Sequence, residues 1–170
     1  MIKNPQVGDI VRVRSTERSN LVVLWDVSRP KYVQGVLLHT SPELATDMDV
    51  VLARTTTEPV EVPEILRREL GMPSVLLGPR MTGTVTPYPL VICCDLYGQF
   101  LRTQVDKHIA HIDNFPVSHP LLNPDEIAQA LGGWRGLPIF RDSPRWAEKE
   151  RLLAEELRPL TYPFWSGFRW

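Results

Sequence analysis

The sequence predicts a mainly β (α+β) chain: a small antiparallel barrel or strongly bent sheet, followed by an α-helical C-terminal part. Three observations predict it. Over the first two thirds, short apolar runs rich in β-branched residues recur at close spacing, with Gly and Pro between them. The full-length helices that would alternate with strands in a parallel sheet are missing there. After Phe115 the spacing of apolar residues becomes helical.

Gly8-Asp9 opens the first strand, Ile10 to Arg14, which mixes apolar and basic positions. Ser15 to Asn20 is a polar loop. Leu21 to Val27 is nearly continuous in apolar residues and too short for a typical helix, so it reads as a buried strand. Val33 to His39 repeats that character, with Gly35 as a candidate bulge, and Ser41-Pro42 breaks it. Asp49 to Arg54 is the next strand. Pro63 to Gly71 reads as a short helix, with Pro in the first turn and Gly at its C-terminal stop. Ser74–Leu77 and Gly83–Thr86 are short β segments. Pro89 to Asp95 is a strand, Tyr97-Gly98 a turn signal, and Gln99 to Val105 the expected return of a hairpin. Ile109 to Asp113 is the last short strand.

Beyond it, Asn123-Pro124-Asp125-Glu126 is a helix start: Asn caps, Pro takes the first position and Glu follows three residues after the cap, with Leu122 and Ile127 as a hydrophobic staple. A second helix is expected from Ser143-Pro144 to about Arg158. Trp146, Leu153 and Leu157 fall on one stripe of it, widened by Leu152. The domain reading is therefore a barrel over 7–115 and a helical extension over 116–170 that ends in five aromatics, Tyr162, Phe164, Trp165, Phe168 and Trp170. Such a tail either packs on its own domain or anchors to a partner.

Composition bounds the function. With 170 residues, 43% of them hydrophobic and 23% charged, the chain can bury a core and is too apolar for disorder. Its 19 Lys+Arg against 20 Asp+Glu remove any global electrostatic case for nucleic acid, so an RNA surface has to be a local patch. Arg strongly outnumbers Lys, which suits phosphate contacts and equally reflects a GC-rich genome. No uncharged apolar run nears the roughly 18–20 residues that span a bilayer, and the N-terminus has no apolar signal core. The expectation is a cytoplasmic chain with no membrane partner. Cys93 and Cys94 are adjacent, so a bond between them would be strained. With no CxxC or Cys/His cluster in the sequence, no metal and no cofactor are expected.

Most sequence motifs that carry catalytic or binding chemistry are absent. Glu126 to Gly133 resembles the first helix of a helix-turn-helix, but Trp134-Arg135-Gly136-Leu137-Pro138 cannot supply the recognition helix. His108 and His111 would face opposite sides of a regular strand, so shared ligation is not expected. Nucleophile-elbow, phosphate-loop, dinucleotide and zinc-peptidase signatures are absent. That leaves a metal-free nuclease, which needs few polar residues. Two segments carry them: the loop Ser15 to Asn20, and Arg54-Thr55-Thr56-Thr57 at a strand end. An Arg there holds a scissile phosphate while a hydroxyl or carboxylate helps move protons. The same residues also suit a β-favouring strand end with surface charge.

The order of features is similar to a known family. Val7-Gly8-Asp9-Ile10-Val11 resembles the G-D-[IV] opening of PemK/MazF-family toxins. Ser15-Thr16-Glu17 before Leu21-Val22-Val23-Leu24 resembles that family's loop and second strand, and Asp49 to Thr56 its later strand ending in Thr. The chain departs from the pattern in lacking Gly before Ser15 and Arg-Pro before Leu21. The resemblance implies an SH3-like β-barrel, a homodimer, and a metal-independent endoribonuclease acting on single-stranded RNA and silenced by an antitoxin. Residue by residue it implies Arg18 as the loop arginine and Thr55 or Thr56 as the catalytic threonine; with Arg54 of the strand end these are the catalytic candidates, and Arg12, Arg14 and Glu17 are the RNA-binding candidates. A non-enzymatic alternative stands on the same fold: CcdB-type toxins bind a host protein through a C-terminal helix and aromatic tail, which here implies Trp146, Phe164, Trp165 and Trp170 as partner-binding residues.

Overall fold

Near-continuous apolar runs organise the molecule into strands, and the longest of them, over 32–39 and 90–101, are buried at consecutive positions. The computed structural model describes residues 4–14, 19–39, 41–52, 59–81, 90–116, 134–137 and 139–159. The strands are β1 (Asp9–Arg14), β2 (Ser19–Asp26), β3 (Tyr32–His39), β4 (Asp49–Leu52), β5 (Val60–Glu61), β6 (Val75–Met81), β7 (Leu90–Leu101), β8 (Val105–Asp113) and β9 (Trp134–Gly136). Helix α1 (Glu64–Leu70) precedes β6 and helix α2 (Pro144–Pro159) follows β9. Every pairing is antiparallel. Eight strands form one path, β4-β7-β3-β2-β1-β8-β6-β5, and β9 adds to β7. The result is a mainly β, curled half-barrel sheet. No helix among the described residues is long and apolar enough to cross a membrane.

One face of the curled sheet carries the main core. Ile10, Leu21, Val23, Val36, Leu38, Val50, Leu52, Leu90 and Ile92 alternate inward and meet Leu66 and Leu70 of α1. Trp25 packs edge-to-face on Phe115, ring centroids 5.6 Å apart. The other face has two smaller clusters: Val11, Val13, Val22, Leu24, Val33, Phe100 and Val105, and Leu37, Cys93, Leu96 and Leu153. Leu153 belongs to α2, so this helix lies on the sheet's second face, while Leu137 and Phe140 reach the main core.

The structure corrects two local expectations. Tyr97-Gly98 is no turn: β7 runs unbroken through it. Tyr97 is buried in the core, and Gly98 pairs with Gly35 on one side and Trp134 on the other, so flanking strands hold extended a dipeptide that alone favours turning. Gly35 is not itself bulged. It pairs with Leu24, and the extra residue in that ladder is its neighbour Trp25 on β2, whose large side chain enters the core. The α1 boundaries follow the sequence signals, with Gly71 in the left-handed region at φ 64° closing the helix. The expected Gly83–Thr86 strand and the Pro124 helix lie outside the described residues.

Candidate functional site

The end of the sheet where β1, β3 and β4 terminate carries Arg12 and Arg14, the two basic candidates among the described residues. The register row Arg12–Leu21–Leu38–Ile92–Val50 crosses β1, β2, β3, β7 and β4. β1 and β4 run the same way from that row, so Arg14 and Leu52 stand at one level, about 19 Å apart along the sheet. The strand ends flanking residues 15–18, and the end preceding 53–58, therefore share one edge of the molecule. At that edge Asp106 of β8 binds two arginines. Arg12 donates Nε and Nη2 to its two carboxylate oxygens at 2.8 and 3.0 Å, and Arg14 Nε lies 3.0 Å from Oδ2. The Arg12 side chain is 17% exposed and that of Arg14 59%. Two guanidiniums on one carboxylate leave a net positive spot. The more exposed arginine is the one able to exchange its partner for a phosphate oxygen.

Below this edge, on the opposite face of the same strand pair, Asp9 gathers both histidines of the H-x-x-H pair. His111 Nδ1 lies 2.7 Å and His108 Nε2 3.0 Å from the same oxygen, Asp9 Oδ1, while Gln6 N–H donates to Oδ2 at 2.8 Å. His111 Nε2 reaches Asp113 at 3.0 Å. This overturns the expectation that the two histidines point apart. Ile10 pairs with Ala110 and Val11 with His108, so Ile109 is an extra residue in β8, and the slip brings positions 108 and 111 to one face.

The third cluster lies under α2. Asp49 of β4 and Asp95 of β7, both buried, receive the Nζ of Lys149, which is itself buried. Burial raises the pKa of both carboxyls, and Lys149 pulls them the other way. Burial also works against the lysine's charge, but Cys93, Asp95 and Asp49 beside it outweigh that and the ammonium is held well above its ordinary range. His39, fully buried beside them, is pushed down to about 4, first by burial and then by Lys149. Its Nδ1 accepts the Ser41 N–H at 3.1 Å, and Nε2 has no partner. Asp95 Oδ2 is also unpartnered. Burial drives the Cys93 thiol far up. Ligand atoms of His39, Asp49 and Cys93 all lie within 4.8 Å of one another.

Of the residues singled out from sequence, Arg12 and Arg14 stand at the basic edge. Arg18, Arg54, Thr55, Thr56, Glu17, Phe164, Trp165 and Trp170 lie outside the described residues. Trp146 is half-buried and packs on the main core and on the Leu37–Cys93–Leu153 cluster, so its indole is engaged within the fold. The Lys149 cluster was missed because its members are far apart in sequence. One signal did exist: Lys149 falls between Trp146 and Leu153 on the apolar stripe of α2, where a cation needs a buried partner. No protein-family model, curated protein or solved structure matches this chain.

Proposed function

We propose that this chain binds single-stranded RNA and cleaves it by a metal-independent route. The observation that carries the reading is the shared edge: the strand ends flanking 15–18 and preceding 53–58 stand at one level, with Arg12 and Arg14 beside them. The resemblance to PemK/MazF-family toxins, and a curled antiparallel sheet of the expected class, support it further. In this reading Arg14 and the loop arginine Arg18 hold the phosphate backbone, with Glu17 beside them, and Arg54 offsets charge that grows on the phosphoryl oxygens. The 2′-hydroxyl gives up its proton to solvent as its oxygen attacks phosphorus, the bond to the 5′-oxygen breaks and that oxygen takes a proton from solvent, and the products are a 2′,3′-cyclic phosphate and a 5′-hydroxyl end. A hydroxyl of Thr55 or Thr56 positions the reacting groups. The protein partners this reading brings are a second copy of the chain and an antitoxin.

The test is incubation of the purified protein with mixed single-stranded RNA in EDTA, with end mapping of the products. Arg54→Ala is expected to lower the rate on the order of 10²–10³-fold without a change in melting temperature. His108→Gln, on the opposite face, is expected to leave cleavage unchanged. Cleavage that survives Arg54→Ala but is lost in His108→Gln would move the chemistry to the Asp9 cluster. RNA left intact by the wild type would favour the protein-binding alternative.

A further inference from the structure

We propose that His39, Asp49 and Cys93, with Asp95 beside them, form a binding site for a divalent transition metal of the zinc class, and that the Lys149 ammonium fills the same cation position when no metal is bound. Donor chemistry supports this first. One imidazole nitrogen, one carboxylate oxygen and one thiol sulfur within 4.8 Å of one another are borderline-soft ligands of the kind zinc prefers. The three come from β3, β4 and β7, which are joined through β7 by direct pairing, so a rigid sheet holds them. Tetrahedral coordination at about 2.0–2.3 Å asks the ligands to close in by roughly an ångström, a side-chain movement rather than a refolding.

Unsatisfied groups support it next. His39 is fully buried, its Nδ1 is engaged by the Ser41 N–H, and its Nε2 faces no hydrogen-bond partner. Buried polar atoms are rarely left unmatched, because each costs the desolvation it underwent. Asp95 Oδ2 is a second such atom in the same cluster. The ammonium of Lys149 satisfies neither, whereas a metal ion accepts a nitrogen lone pair from the ring and a carboxylate oxygen together. Binding through Nε2 needs the neutral ring as its Nδ1–H tautomer, so the Ser41 N–H moves to another acceptor when the metal enters.

Charge balance makes the exchange feasible. Two carboxylates and an ammonium sum to one negative charge. Two carboxylates, a thiolate and a divalent ion sum to the same. The thiol proton leaves to solvent on binding, so uptake releases one proton and tightens as pH rises. The displaced lysine has somewhere to go: a cavity of about 530 Å³ adjoins it, lined by Thr46, Asp47, Arg145, Glu148 and Leu152 among others, with the carboxylates of Asp47 and Glu148 in its wall.

Cobalt(II) is the probe, because a thiolate ligand gives it a near-ultraviolet charge-transfer band and tetrahedral geometry gives strong visible absorption. The wild-type chain, stripped with EDTA and dialysed, is expected to take up one Co²⁺ with both signatures, and Zn²⁺ is expected to displace it. Cys93→Ser should abolish the ultraviolet band, and His39→Gln should weaken uptake by about tenfold or more. Lys149→Met should tighten it by a similar factor. Because that variant strands two buried carboxylates, the decision rests on the Cys93 and His39 variants, which keep the lysine. No uptake by the wild type, uptake without a thiolate band, or uptake indifferent to Cys93→Ser each overturns the proposal. Uptake only after Lys149 is removed overturns it too, since the lysine would then be a permanent occupant. The readout is independent of RNA cleavage, so either conclusion can fail alone.

Discussion

Burying Lys149 between Asp49 and Asp95 takes three ionisable groups out of water, and their mutual contacts, with the Thr46 N–H and hydroxyl that donate to Asp49, offset the desolvation. Replacing Lys149 by Met removes the one cation and leaves two carboxylates facing each other. We expect that variant, measured without metal, to lose about 3–5 kcal/mol of stability in urea unfolding, and Asp49→Asn/Asp95→Asn added to it to recover much of the loss. A Lys149→Met protein as stable as the wild type would mean the trio contributes little. His39 makes a separate prediction. Its folded-state pKa of about 4 lies below the ordinary 6.5, so the unfolded chain takes the proton first as pH falls. The stability its neutral form contributes is full above about pH 6.5 and drains away towards pH 4, by on the order of 3 kcal/mol. Asp49 and Asp95, shifted upward, take protons first in the folded state and oppose that loss. Comparing EDTA-treated wild type with His39→Gln isolates the histidine: the Gln variant should lose less stability on acidification. Parallel curves would contradict the assignment.

At the scale of elements, two glycines that share a positive φ should behave differently. Gly8, at φ 93°, precedes β1 where it crosses β8, and a Cβ there would sit 2.2 Å from the Ile112 carbonyl oxygen, a backbone atom. Gly71, at φ 64°, closes α1, and a methyl group there would meet nothing within 4 Å. Gly71→Ala is therefore expected to cost about 1 kcal/mol from its left-handed backbone alone, and Gly8→Ala several times that, because the β1–β8 ladder must open. Thermal melts of the two variants check the ordering. These elements also show how far the sequence could be read. The β1 to β4 strands, α1 with its Gly71 stop and α2 with its Ser143-Pro144 start were all legible, because β-branched runs, Pro and Gly act locally. Unbroken passage of β7 through Tyr97-Gly98 was not, since it depends on β3 and β9 alongside. Nor was the meeting of His108 and His111 on Asp9, because one inserted residue in β8 reverses which face a histidine takes. His39, Asp49, Cys93 and Asp95 come together through strand order and Lys149 through the docking of α2 on the sheet, neither of which a local pattern encodes.

Across the whole molecule, 19 Lys+Arg against 20 Asp+Glu leave no general attraction for phosphate, so the proposed RNA contact has to rest on one edge. Electrostatic contacts with phosphate release counterions, so binding there should weaken with salt, and Arg14→Ala should lower both affinity and the salt slope, the latter by roughly one contact. Asp106→Asn, which frees two guanidiniums, should act the opposite way. Filter binding of a single-stranded oligonucleotide across a salt series measures both, and an Asp106→Asn protein that binds no tighter would remove the basic edge from the RNA surface. The most direct test of the central claim remains cleavage itself. Wild type and Arg54→Ala, both shown folded by circular dichroism, are incubated with mixed single-stranded RNA in EDTA and the product ends are mapped. Discrete cuts with 2′,3′-cyclic phosphate and 5′-hydroxyl ends are expected from the wild type and none from the variant. Intact RNA in the wild-type reaction, or identical cuts from both proteins, would contradict it.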